Sequence, residues 1–228
     1  DYQHLGILPG AMLNFLALLG WSPGNDIEVM TLNQMVDLFD PDGLQKKAAV
    51  FDPKKLEWMN GQHLSVIETG ELAAIVSPAL EAAGLATESE LDARRAWYLA
   101  LLDLLKVRAR TVDDIVRQAG PYLRDEITYD ADAVAKQWKD RAATAELLAA
   151  VQEALSAMPG WEAGTMEATL RTLAERLGFG DKAGKIFQPM RVALTGLGVS
   201  PGIFDVLIML VRERSLARID AAVGFLGG

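Results

Sequence analysis

The chain has 228 residues, half of them apolar, which is enough for one to three domains with real cores. It contains no cysteine and two histidines, His4 and His63, which excludes disulfides, thiol catalysis and Cys-rich zinc sites. A formal net charge of −9 argues against a generally basic nucleic-acid-binding surface, yet binding depends on a local face, and Arg94, Arg95, Lys106, Arg108 and Arg110 lie close together in sequence.

No apolar run reaches the length of a membrane span, and no secretory leader is visible, so a soluble cytoplasmic protein is expected. Asp1 in place of an initiator Met suggests a fragment. From the N-terminus onward, apolar residues recur at three and four spacing between Gly and Pro breaks. Thr31–Gln34 and Thr87–Glu90 each fit a capping box, in which the Thr hydroxyl accepts from an amide three residues on and the longer side chain reaches back. Phe51-Asp52-Pro53 is expected to cap a helix carrying Lys54, Lys55, Trp58 and Asn60. Thr111 precedes Asp113 and Asp114, acids suited to a helix start. Ser200-Pro201 reads as an N-cap followed by a first-turn Pro. Alternating strand patterns bounded by hairpin turns are missing. The fold class is therefore all-α, with boundaries near 67 and 129 giving helical units 1–67, 68–129 and 130–228.

Two motifs are set aside. Gly198-Val-Ser200-Pro-Gly202 has the G-x-S-x-G spelling, but that nucleophile turn needs a preceding strand and a later His, and no His follows Ser200. Gly178 to Lys185 resembles a phosphate loop, but Phe179 and Ile186 occupy positions that require Gly and Ser or Thr. A helix C-cap is the better reading there. No catalytic constellation and no metal ligand set is legible, which favours a binding module.

Four segments together resemble the bacterial glutamyl-tRNA synthetases. They are Gly6-Ile-Leu-Pro-Gly through Leu19-Gly20-Trp21-Ser-Pro; Ala49-Val-Phe51-Asp52-Pro-Lys54-Lys55-Leu56-Glu-Trp58-Met-Asn60-Gly61; Lys185-Ile-Phe187-Gln188-Pro-Met-Arg191 through Thr195-Gly196; and Val199-Ser200-Pro201-Gly202-Ile203-Phe204 through Leu216. The likeness spans nearly the whole chain and is weakest over about 68–180. It implies a stem-contact helical region at 1–67, followed by two α-helical anticodon-binding subdomains at 68–129 and 130–228. ATP and Mg would belong to an N-terminal catalytic domain upstream, so this chain alone is expected to be inactive and to hold no cofactor. The implied partners are tRNA(Glu) and that catalytic domain, with no DNA and no membrane.

The resemblance also implies roles. Lys54, Lys55, Trp58 and Asn60 would touch the inner corner of the tRNA, Lys on phosphates and Asn on sugar or phosphate oxygens. Arg110, with Arg108 as the alternative, would meet the last anticodon base, which is C in glutamate tRNA and G in glutamine tRNA. One bidentate contact of that kind gives about 1–3 kcal/mol of discrimination. Gln188, Arg191, Thr195, Ser200, Pro201, Gly202 and Ile203 would surround the first two anticodon bases, since RNA loops are read by splaying bases and bonding their edges. Where many family members carry a polar or basic residue after Thr195-Gly196, this chain has Leu197-Gly198. The rival readings are a non-catalytic helical protein-interaction module or a paralogue without tRNA binding, and a small enzyme with an enclosed polar pocket.

Overall fold

The computed structural model describes residues 2–24, 26–45 and 50–228. Ala49, the first residue of the second resembling segment, lies outside the described residues. Among them there are helices and no strand, with one isolated antiparallel bridge between Trp21 and Leu44, so the all-α expectation holds. No described helix is long and apolar enough to cross a membrane. The chain forms two compact units, Asp1–Arg117 and Gln118–Gly228.

In the first unit a 3-10 turn at Tyr2–Leu5 precedes α1 (Pro9–Gly20), whose Pro at the first position loses no helical hydrogen bond. Helix α2 (Leu32–Leu38) starts at the full Thr31–Gln34 capping box. Helix α3 (Pro53–Val66) starts at Asp52, whose carboxylate accepts from the Lys54 amide at 2.9 Å. Ile7, Phe15, Leu56 and Met59 form a core where α1 meets α3, with Trp58 packed at its edge. Full burial of each such side chain contributes about 1.5–3 kcal/mol. The position of α1 is fixed further by Asn14, whose Oδ1 accepts from the Met30 amide at 2.8 Å and lies 3.0 Å from His63 Nε2. Partial burial moves the His63 pKa below its ordinary value.

Helices α4 (Thr69–Ala82), α5 (Glu88–Ala93) and α6 (Arg95–Lys106) complete most of this unit. The Thr87–Glu90 capping box opens α5 as the sequence predicts. Helix α4 ends at Gly84, φ +63°, where the amides of Gly84 and Leu85 fold back to the carbonyls of Glu81 and Leu80. Tyr98, Leu101, Leu102 and Leu105 are buried on one side of α6. The division between the units falls inside α7 (Val112–Leu123).

The second unit continues through α8 (Ala131–Gln137), α9 (Arg141–Ser156), α10 (Ala163–Arg176), α11 (Gly184–Thr195) and α12 (Ile203–Gly227). Helices α9 and α12 pack along one another and α11 packs on both. Trp138 is buried, donating from Nε1 to the Pro189 carbonyl at 3.2 Å, with Tyr129 edge-on at 4.9 Å. Arg218, also buried, donates to the carbonyls of Leu194 at 2.6 Å and Arg124 at 2.8 Å. Burial, aided by repulsion from Arg214, brings its pKa down to about 10, so it stays charged at neutral pH. Helix α12 bends at Val211, whose φ of 57° and ψ of 171° fall in a region that suits glycine, not a β-branched residue.

Candidate nucleic-acid interface

In the first unit, the predicted residues separate into two kinds. Lys54 is exposed on the first turn of α3, and Lys55 is half-buried in an ion pair with Glu28. Trp58 is half-buried against the α1–α3 core. Phe51 is 38 % exposed, edge-on to Phe15 at 5.0 Å. Asn60 departs from its expected place at the RNA surface: it is fully buried. Its Oδ1 accepts from the Leu8 amide at 2.8 Å, and its Nδ2 donates to the carbonyls of Gly6 at 3.1 Å and Arg110 at 2.6 Å. A buried amide must satisfy both ends, and here three backbone groups do so.

Those bonds make Asn60 a fixture for Arg110. The next residue, Gly61, completes the seat: a Cβ there would come within 3.0 Å of Arg110 Cδ and 3.1 Å of the Ala109 carbonyl. The amides of Arg110 and Thr111 donate to Asp114 Oδ2 at 3.0 and 3.3 Å, while the Asp114 amide donates back to Thr111 Oγ1 at 3.2 Å. This reciprocal cap starts α7 at the Thr that the sequence singled out. Burial raises the Asp114 pKa, but the Arg117 guanidinium and the two amides outweigh it and hold the carboxyl below its usual range.

The basic stretch is less available than its composition implies. Lys106 is turned inward, donating to the Ile67 carbonyl at 3.0 Å and Thr69 Oγ1 at 2.8 Å and pairing with Asp103 at 2.7 Å. Arg94 stacks over Trp97 at 4.5 Å, and Arg95 pairs with Asp92 at 3.0 Å. Arg108 and Arg110 are exposed and join no ion pair among the described residues. Arg110 thus combines an anchored backbone with an exposed side chain, whose Cδ and Nη1 pass over Gly61.

In the second unit, Gln188 is exposed on α11. Arg191, one turn later, reaches across to the loop before α12. Its Nη1 donates to the carbonyls of Ser200 at 2.9 Å and Pro201 at 2.7 Å, and also to Ser200 Oγ. Thr195 is buried, donating to the Arg191 carbonyl at 2.7 Å and accepting from the Leu197 amide at 3.2 Å. Gly196 takes φ +73°, and a Cβ there would lie 2.1 Å from the Thr128 carbonyl oxygen.

Ser200 is not the N-cap that the sequence predicts. Helix α12 begins at Ile203 after Gly202, and the Ser200 hydroxyl is spent on the Pro201 carbonyl and on Arg191. Ser200, Pro201 and Ile203 are buried, whereas Gly198 and Val199 are exposed. The direct offer to a base or phosphate therefore comes from Gln188, from backbone of the 198–202 turn, and from the α12 N-terminus, which no side chain caps. Phe204 is half-buried, edge-on to Phe187 at 5.5 Å. Among the described residues, no group of three or more acids and histidines is placed to hold a metal ion.

A family model described as an anticodon binding domain matches residues 71–223. This chain belongs to the anticodon binding domain family. A second model, the catalytic domain of class I tRNA synthetases for E and Q, matches residues 1–58 and so covers most of the 1–67 stretch read as stem-contact, ending before Asn60. Glutamate–tRNA ligase 1 of Erythrobacter litoralis is 42% identical over 219 residues, covering 96% of this chain and 42% of that protein. Glutamate–tRNA ligase 2 of Chelativorans is 43% identical over 227 residues, covering 97% of this chain and 46% of that protein. The chain thus spans less than half the length of these curated relatives. The crystal structure of a glutamate tRNA ligase from Elizabethkingia meningosepticum, in complex with its amino acid, aligns with a TM-score of 0.77 at 28% identity, covering 99% of this chain and 43% of that one.

Proposed function

We propose that this chain is the anticodon-reading, tRNA-binding part of a cytoplasmic glutamate–tRNA ligase, with tRNA(Glu) as its RNA partner. Charging with glutamate, which uses ATP and Mg, is assigned to the catalytic domain of the same enzyme, and the chain alone is inactive in that reaction. The division into a stem-contact region at 1–67 and anticodon-binding subdomains at 68–129 and 130–228 belongs to this reading. The observation that carries it, within an anticodon binding domain family member, is the seat of Arg110. Its backbone is clamped by Asn60 and Asp114 while its side chain is exposed. That is the arrangement a base-reading arginine needs, because position is fixed before the ligand arrives. Arg108 has the same exposure without the clamp, which favours Arg110 for the last anticodon base.

Gln188 and the 198–202 turn are assigned to the first two anticodon bases. Arg191, Thr195 and Ser200 shape that turn, and Lys54 and Lys55 contribute phosphate attraction. The test is a titration of the chain against tRNA(Glu) and tRNA(Gln), from about 50 to about 200 mM salt. Salt-sensitive binding that favours tRNA(Glu), with the preference reduced in Arg110→Gln, is expected. No binding at the lowest salt, or binding indifferent to salt, removes the proposal. An interaction module would give that negative result.

A further inference from the structure

We infer that a groove on the second unit, between α8, the start of α9 and α11, is a seat for the sugar-phosphate backbone of RNA next to the anticodon-reading turn. The inference rests on the reading of the chain as tRNA-binding and adds a contact surface to it. The groove has a volume of about 500 Å³, and its lining includes Lys136, Lys139 and Lys185. All three lysines are exposed, and none joins an ion pair among the described residues. The acid in the lining is Asp140, whose carboxylate accepts from the Ala143 amide at 3.0 Å as the cap of α9. In a chain whose 31 acids outnumber its 22 Lys and Arg, three unpaired cations around one capped carboxylate form a local reversal of charge. Like charges held together repel, and a polyanion relieves that repulsion.

Two features favour an RNA strand over a compact anion. Lys185 Nζ lies 5.1 Å from the centre of the half-buried Phe179 ring, so the groove sets an apolar ring face beside a cation, as an RNA strand sets bases beside phosphates. Gln188 also lines the groove and stands one turn before Arg191 on α11. A strand in the groove would therefore run on toward the turn that Arg191 holds. Lysines there would supply position without sequence information, and Gln188 a polar contact at the junction.

The experiment uses the full chain and an anticodon stem-loop hairpin with the tRNA(Glu) sequence, titrated from about 50 to about 200 mM salt. Each lost phosphate contact to a single strand lowers the salt slope by about 0.7. The Lys136→Gln/Lys139→Gln/Lys185→Gln variant should therefore lose about 2 from the slope, and over that range the parent should lose roughly twentyfold more affinity than the variant. The triple Lys→Arg variant should keep the parent slope. So should Arg171→Gln/Arg176→Gln, which removes two cations from α10 that do not line the groove. If the triple Gln variant fails to melt like the parent, the single Lys139→Gln variant carries the test, with an expected loss of about 0.7. An unchanged slope with a parent that binds overturns the groove alone. A parent that does not bind the hairpin even at the lowest salt overturns the tRNA reading and the groove together. Competition by a poly-glutamate peptide equal to that by the hairpin, at matched charge, also overturns the groove as an RNA seat.

Discussion

Replacing Asn60 with Ala or Asp tests the buried clamp beneath Arg110. In Asn60→Ala the Leu8 amide loses its acceptor at 2.8 Å in a buried setting. A buried unsatisfied donor costs about 1–3 kcal/mol. The Gly6 carbonyl keeps the Val112 amide at 3.1 Å, and Arg110 is exposed enough for water to reach, so each of those losses is nearer the net worth of one bond. The sum is about 3 kcal/mol, which lowers the urea midpoint of the first unit by roughly 1–2 M. Asn60→Asp is expected to be worse at about pH 8, because a buried carboxylate oxygen would face the two carbonyls that Nδ2 now serves.

Burial and those carbonyls raise the folded pKa of an Asp at 60 above its unfolded value. The protonated form, which can donate to one carbonyl, is then the stable one. The deficit relative to the parent is small below the unfolded pKa of about 3.9 and grows as pH rises through the folded value. Urea unfolding followed by tryptophan fluorescence at several pH values measures this difference. An Asp variant as stable as the parent at about pH 8, or a deficit independent of pH, would refute the clamp.

Gly196→Ala should cost at least about 3 kcal/mol, since the new methyl meets the Thr128 carbonyl oxygen and the backbone is left-handed; a thermal melt reads it directly. Because burial depresses His63, the unfolded chain takes up a proton first as pH falls below the ordinary value of 6.5. The parent should therefore lose stability through that range, and His63→Gln should flatten that part of the profile of melting temperature against pH. Val211→Gly should relieve the backbone strain at the bend in α12 and raise stability by about 1 kcal/mol, the strain relief exceeding the entropy cost of a glycine. A loss of stability in that variant would show that the bend carries no strain.

What was legible in the sequence was local. Thr31–Gln34, Asp52-Pro53, Thr87–Glu90 and Thr111–Asp114 bond within four residues, so spacing alone reveals them. The Gly178 motif also resolves locally: the amides of Gly178 and Phe179 fold back to the carbonyls of Glu175 and Ala174, the C-cap that was expected. Asn60 reads as surface because it follows lysines in sequence, whereas the partners that bury it lie 50 to 54 residues away. Ser200-Pro201 spells a common helix start, but Arg191 claims the Ser200 hydroxyl from nine residues upstream. The lysine groove had no sequence signature, since Lys136 and Lys139 meet Lys185 only through the packing of α8, α9 and α11. The bend at Val211 has neither Gly nor Pro to announce it.

The grip of Arg191 on Ser200 and Pro201 has a thermodynamic consequence for whatever docks there. A slack segment must surrender its freedom upon association, at about 1–2 kcal/mol for each residue frozen. Here α11 has already immobilised the segment through a single guanidinium during folding. A visitor meets a preorganised edge, and more of its contact energy survives as affinity.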